Sequence, residues 1–235
     1  MNWAMKKARR ASTVTVRALL SGNARYASPP FSRGFTWGSA EIANLLIDLD
    51  DMARQPVGKG PEAERLYLGS IALGRAEPGA GRLVIDGQQR LAALVLILAC
   101  LRDRLPKGDG QRIQRLLIGH PWQGAAFSRV QLRGFEHDWF TKQILSPGAT
   151  LRLPDEAPEG GPERLLASAR FLARSLVGKE TPELRHLAGA LLDATAVVLV
   201  QAIDERDETR LYGALKGRAR VDLTPEPAPA HEAMA

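Results

Sequence analysis

The chain has 235 residues, 45% of them apolar and 25% charged, with a formal net charge of +6. That balance belongs to a globular protein with a core, and it excludes whole-chain disorder and a collagen-like repeat. Cys100 is the only cysteine, so no internal disulfide forms. The longest apolar run, Leu91–Leu101 between Arg90 and Arg102, is too short to span a bilayer.

The first 40 residues hold Lys6, Lys7, Arg9, Arg10, Arg17, Arg25 and Arg33 and no Asp or Glu. The overall +6 less these seven leaves about −1 for the rest. Residues 1–12 read as a basic flexible arm, with Lys6, Lys7, Arg9 and Arg10 able to meet a nucleic acid, or as a solvated terminus. No apolar h-region follows Lys6–Arg10, so a signal peptide is not expected and the location is expected to be cytoplasmic. Thr13–Val16 alternates β-branched residues as a short strand does. Ser21–Gly38 is irregular and carries Tyr26, Phe31, Phe35 and Trp37.

Ser39 reads as an N-cap before an amphipathic helix over 40–53, with Ile42, Leu45, Leu46, Leu49 and Met52 at helical spacing. Leu66–Leu73 and Arg82–Ile85 read as strands joined by a turn at Pro78–Gly81. A long apolar helix follows over 87–104, stopped by Pro106, and Cys100 falls within its stripe as a core residue. Residues 111–145 are mixed and expected to be helical in part, with Trp139, Phe140 and Ile144 as core candidates. Residues 146–162 form a loop rich in Pro and Gly, the expected boundary between a core over 13–145 and a second part over 163–224. Pro162 suits a first helical position. Two helices make a hairpin to residue 194, Ala196–Ile203 is an apolar central strand, Asp204–Lys216 is the last helix, and 225–235 is a disordered Pro/Ala tail.

The chemistry concentrates in Val84-Ile85-Asp86-Gly87-Gln88-Gln89-Arg90, where a strand ends and a helix begins. A helix N-terminus has unpaired N–H groups and partial positive charge, and so attracts phosphate. Gly87 permits close approach, Arg90 offers a forked cation, Asp86 offers a ligand for Mg²⁺ or a water, and Gln88 and Gln89 offer hydrogen bonds. The same residues admit a purely structural reading, with Asp86 as N-cap and Gln89 closing a capping box. Trp37 and Phe35 are candidates to stack on a base or to pack in the core. His120, His137, His186 and His231 show no metal-ligand spacing, and adjacent His137 and Asp138 point apart on a helix.

Ile85–Leu91, preceded by Tyr67-Leu68-Gly69-Ser70-Ile71, resembles the N-terminal domain family of GmrSD-type modification-dependent restriction endonucleases. Pro29–Trp37 and Ala196–Thr224 resemble two further blocks of that family. The resemblance implies an α+β fold related to ParB and sulfiredoxin: a small mixed sheet from residues 13–16, 66–73, 82–86 and 196–203 packed with helices, plus the added helical hairpin. It implies a nucleotide-binding, NTP-hydrolysing sensor in bacterial phage defence, with Asp86 and Arg90 catalytic, Gly87, Gln88, Gln89, Arg33 and Ser70 on the nucleotide, and Mg²⁺ at Asp86. Cleavage would belong to a His-Asn-His-type nuclease partner, not to this chain. DNA and a second copy of the chain are further expected partners, and a membrane is not. Three positions depart from the pattern: Ser32 replaces a Gln, Lys216 an Asn, and Pro225 an acidic residue. These departures support the alternative of a non-catalytic DNA-binding or adaptor module, or of a truncated form needing a partner.

Overall fold

A computed structural model describes residues 10–22, 24–29, 32–55, 65–77, 81–120 and 125–215. Strand β1 (Arg10–Thr15) starts three residues before the expected Thr13, and Val16 belongs instead to the short helix α1 (Val16–Leu19). The Thr15 hydroxyl accepts from the Ala18 N–H and so ends the strand and starts the turn. Strand β2 (Tyr26–Ala27) is pinned by the Tyr26 hydroxyl, which donates to Leu19 O at 2.9 Å. Helix α2 (Ser39–Arg54) is capped by Gly38, not by Ser39. The Glu41 carboxylate accepts from the Gly38 N–H at 2.7 Å, which holds Glu41 below its ordinary pKa.

Strands β3 (Leu66–Glu77) and β4 (Gly81–Asp86) form the expected antiparallel hairpin, whose turn residues 78–80 lie outside the described residues. Helix α3 (Gln88–Arg104) follows, with Leu91–Leu101 buried all round its circumference. A helix apolar on every side must lie inside, and here it is the axis of the core. Helix α4 (Lys107–Leu117) resumes directly after Pro106. Strands β5 (Ile118–Gly119) and β6 (Phe127–Ser128) pair as a ribbon, and β7 (Val130–Gln131) joins the main sheet beside β2. Helix α5 (Gly134–Phe140) widens into a π turn over Thr141–Leu145.

The loop after it is held by a buried pair. Arg102 bonds Asp103 at 2.7 Å and donates to the carbonyls of Ile144, Leu145 and Ser146, while Asp103 accepts from the Gly148 and Thr150 N–H groups. Helix α6 (Gly161–Ser175) is capped by Gly160, so Pro162 is its second residue. Helix α7 (Thr181–Gly189) runs into a second π turn over Ala190–Ala194. Strand β8 (Thr195–Gln201) and helix α8 (Glu205–Leu215) complete the described fold. Lys216 and the tail 225–235 lie outside it.

The architecture is α+β. The six-stranded sheet has the order β1-β8-β3-β4-β2-β7. It is mixed: β8 runs antiparallel to β1 and parallel to β3, and β2 runs parallel to both β4 and β7. The four strands expected from sequence are consecutive in it. Alternation sorts the two faces. Ile71, Leu73 and Val84 enter the main core with α2, α3, α6 and α7, whereas Ala72 and Ile85 face the other way, onto Leu211 of α8. Trp139, Phe140 and Ile144 are buried as expected, and so is Cys100, whose thiol is pushed up to about 12 by desolvation.

Candidate functional site

Strand β4, interior to the sheet, ends at Asp86, and α3 starts two residues later. The turn between them requires glycine. Gly87 has φ +95°, and a Cβ there would come within 3.0 Å of Ile71 Cγ1 and 3.3 Å of Ile71 Cα on the neighbouring strand. Gly87 itself is the N-cap. Its carbonyl takes the Leu91 N–H at 3.0 Å, and no side chain caps the helix. The capping box between Asp86 and Gln89 is therefore not formed. The half-buried Asp86 carboxylate has no hydrogen bond or ion pair among the described residues, and the first-turn amides of α3 are left uncapped.

Each remaining residue of the motif has a distinct attachment. Gln88 turns back along β4 and donates to Val84 O at 2.5 Å. Arg90 lies across β3, with Nη1 donating to Ser70 O at 2.5 Å. The strand is irregular there. Tyr67 and Ser70 of β3 face Ala196 and Val198 of β8, one residue too many on β3, and Gly69 takes φ +81°. A Cβ on Gly69 would sit 3.5 Å from Arg90 Nη2. The bulge thus makes the bed on which the guanidinium rests.

Gln89 reaches a segment more than fifty residues upstream. Its Oε1 accepts from the Thr36 N–H at 2.7 Å and its Nε2 donates to Gly34 O at 2.9 Å. The same segment is gripped from its other edge by Glu136, whose Oε1 accepts from the Phe35 N–H at 2.7 Å. Arg164 of α6 adds a bond to Thr36 O at 3.2 Å. Burial pushes the Glu136 carboxyl up, against the opposing pull of the Phe35 N–H and of Arg133. Arg33, next to this segment, is exposed.

The family model of the GmrSD restriction endonuclease N-terminal domain matches residues 16–208, which take in the junction, the β3 bulge and the tethered segment. The chain belongs to this GmrSD N-terminal domain family. Membership makes it part of a restriction, phage-defence module. No curated protein matches it. No helix among the described residues is long and apolar enough to cross a membrane.

Against the sequence expectations for this GmrSD-type domain, Asp86, Gly87, Gln88, Gln89, Arg90 and Ser70 come together at the α3 junction, and Arg33 lies beside a segment that Gln89 binds. Phe35 is 3% exposed and belongs to the core, so its ring has no free face, while Trp37 is half-buried against the same core. Lys6, Lys7 and Arg9 lie outside the described residues. The backbone of Arg10 opens β1 opposite Gln201. Ser32, where the family pattern has Gln, is buried with its hydroxyl unpartnered among the described residues. Sequence reasoning missed Glu136 and Arg164. Glu136 carried a signal: it stands three and four residues before Trp139 and Phe140, an acid on an apolar stripe.

Proposed function

We propose that the junction at the start of α3 binds a nucleoside triphosphate and hydrolyses it with Mg²⁺, making this chain the nucleotide-responsive part of its restriction system. DNA cleavage then belongs to another domain or chain. One observation carries this reading. A half-buried carboxylate without a partner, Asp86, stands beside an uncapped helix N-terminus and an arginine anchored on a bulge. The helix end attracts phosphate oxygens, and a carboxylate beside it, which by itself would repel them, is free to hold a cation that offsets their charge.

The residues fit Mg²⁺ of a particular kind. No group of three or more His, Cys, Asp or Glu able to hold a metal exists among the described residues, and Asp86 is the one carboxylate within residues 84–90. That suits an ion that keeps several waters and takes other ligands from the phosphates. Bound there, the ion would neutralise charge on the phosphate oxygens. The chain's own residues do the rest. The first-turn N–H groups of α3 receive phosphate oxygens, Gly87 keeps the approach clear, and the free donors of Arg90 face the terminal phosphate from a fixed bed. Asp86 orients the attacking water by accepting its hydrogen.

The test is binding and phosphate release with ATP, GTP, CTP and UTP in the presence of Mg²⁺, for the parent, Asp86→Ala and Arg90→Ala, each checked by circular dichroism. The expected result is turnover by the parent and a loss of roughly a hundredfold or more in folded variants, the scale of one removed electrostatic group. Variants that bind and hydrolyse as the parent does, or a folded parent that binds none of the four nucleotides, overturn the proposal.

A further inference from the structure

Beside Gly34 lies a cavity of about 480 Å³, within the range of small-molecule sites. Its lining includes Gly34, Arg133, Phe135, Glu136, Glu159 and Gly161 and none of residues 86–90, so it is a site apart from the α3 junction. One side chain in its wall points to a ligand. Glu136 is 7% exposed and spends only Oε1, on the Phe35 N–H at 2.7 Å; its Oε2 has no partner among the described residues. A desolvated carboxylate oxygen left without a donor in a cavity wall is complete only when something in the cavity supplies one. Burial pushes this carboxyl up, and a cation at Oε2 would offset that desolvation. Glycines hold the carboxylate in place. A Cβ on Gly161 would lie 2.5 Å from its carboxyl carbon, and one on Gly34 would lie 3.0 Å from Oε2, so either side chain would displace it.

The opposite charge stands nearby and is unused. Arg133 is exposed and makes no hydrogen bond or ion pair among the described residues, yet it is close enough to Glu136 to pull its carboxyl down. The two charges line one cavity without meeting, which leaves room between them for a molecule carrying both signs. Phe135, between them in sequence, is 63% exposed and offers a ring face to the same space. The exposed Glu159 adds a second carboxylate, and the start of α6, which no side chain caps, adds positive partial charge.

We propose that this cavity binds a free α-amino acid with an aromatic side chain, its ammonium donating to Glu136 Oε2, its carboxylate accepting from the Arg133 guanidinium, and its ring stacked on Phe135. An α-amino acid carries its two charges on groups that share one carbon, as bridging an unmade Arg–Glu pair requires. A cation alone would be repelled by Arg133 and leave it unpaired. An anion alone would face the Glu136 carboxylate and leave Oε2 without a donor.

Isothermal titration of the full chain tests this with four probes. They are L-phenylalanine; its carboxamide, which keeps the ammonium and loses the carboxylate; its N-acetyl derivative, which keeps the carboxylate and loses the ammonium; and glycine, which has no ring. L-phenylalanine binds the parent about tenfold or more tightly than either derivative, the scale of one lost charge-assisted pair, and about fivefold more tightly than glycine. Each variant erases one distinction. In Arg133→Ala the carboxamide comes within about threefold of the free amino acid. In Glu136→Gln, whose amide oxygen keeps the Phe35 bond, the N-acetyl derivative does so. In Phe135→Ala glycine does so. Arg133 and Phe135 are exposed, so their variants keep the fold, and circular dichroism checks Glu136→Gln. A folded parent that binds no L-phenylalanine at millimolar concentration, or distinctions that survive the variants, overturn the inference. Binding of the carboxamide or the N-acetyl derivative as tight as that of the free amino acid would assign the cavity to the end of a peptide chain and overturn it as well.

Discussion

Replacing Gln89 by Ala separates a tether from a cap. The side chain makes two neutral hydrogen bonds to the upstream segment, at 2.7 Å to Thr36 N and 2.9 Å to Gly34 O. Each is worth about 0.5–1.5 kcal/mol net. Thr36 is exposed and Gly34 half-buried, so water reaches the freed backbone groups and the full penalty of buried orphans does not apply. The expected loss is about 1–3 kcal/mol, or roughly 2–12 °C in Tm for a chain of this size. Urea denaturation by circular dichroism measures it. The decisive form is a double-mutant cycle with Asp86→Ala. In a capping box both side chains serve the same helix end and the changes couple. In this structure Asp86 and Gln89 share no partner, so their effects add within about 0.5 kcal/mol. A coupling above 1 kcal/mol, or an unchanged stability in Gln89→Ala, would refute the tether.

Gly87→Ala meets two obstacles, a left-handed backbone worth about 1–2 kcal/mol and a contact with Ile71 that costs about 1–3 kcal/mol more. A total near 2–5 kcal/mol should appear in denaturant midpoints, and a loss under 1 kcal/mol would contradict the turn geometry. Asp103→Ala strands the buried Arg102 guanidinium and should cost about 3–5 kcal/mol. Burial pushes the Asp103 carboxyl up, but the Arg102, Gly148 and Thr150 bonds outweigh it and hold its pKa below the ordinary value. Its stabilising contribution is therefore complete above the unfolded value of about 4 and fades as pH falls through the folded one. The stability gap between parent and Asp103→Asn should narrow in that acid window, and a gap independent of pH would exclude the linkage. Cys100, with no exposed surface and a thiol pushed up to about 12, should resist thiol reagents in the folded protein and react only on unfolding.

What the sequence made legible follows from how local each cause is. Strands β1, β3, β4 and β8 have β-branched or apolar runs long enough to show a period, and α3 has an eleven-residue apolar stretch. Helix α4 has neither. Gly108 and Gly110 argue against a helix, yet Ile113 and Leu117 are buried, and Gly110 lies so near the end of α3 that a Cβ would come 2.8 Å from Arg102 O. Packing against α3 overrides propensity there. Strands β2, β5, β6 and β7, two residues each, are too short to carry a pattern. At the site, Asp86 to Arg90 stood out because a strand end, a glycine and a helix start are adjacent in sequence. The work of Gln89 did not, because Thr36 lies far upstream and a Gln three residues after an Asp looks like a capping box.

The segment Gly34–Thr36 then acquires a role that none of its own residues announces. It contributes no charged group, and its one aromatic ring, Phe35, is buried. Yet its backbone is bonded by Gln89 from the junction, by Glu136 from the cavity and by Arg164 from α6. On the functional reading proposed above, a ligand at the α3 junction would reach this segment, a backbone element tied to three helices, through Gln89. Arg164→Ala removes the α6 link without touching the junction residues. It should therefore leave nucleotide affinity within about twofold of the parent while loosening the segment, read as faster amide exchange at Phe35 and Thr36. Unchanged exchange at those amides would show that Gln89 and Glu136 hold the segment by themselves and that α6 receives nothing from the site.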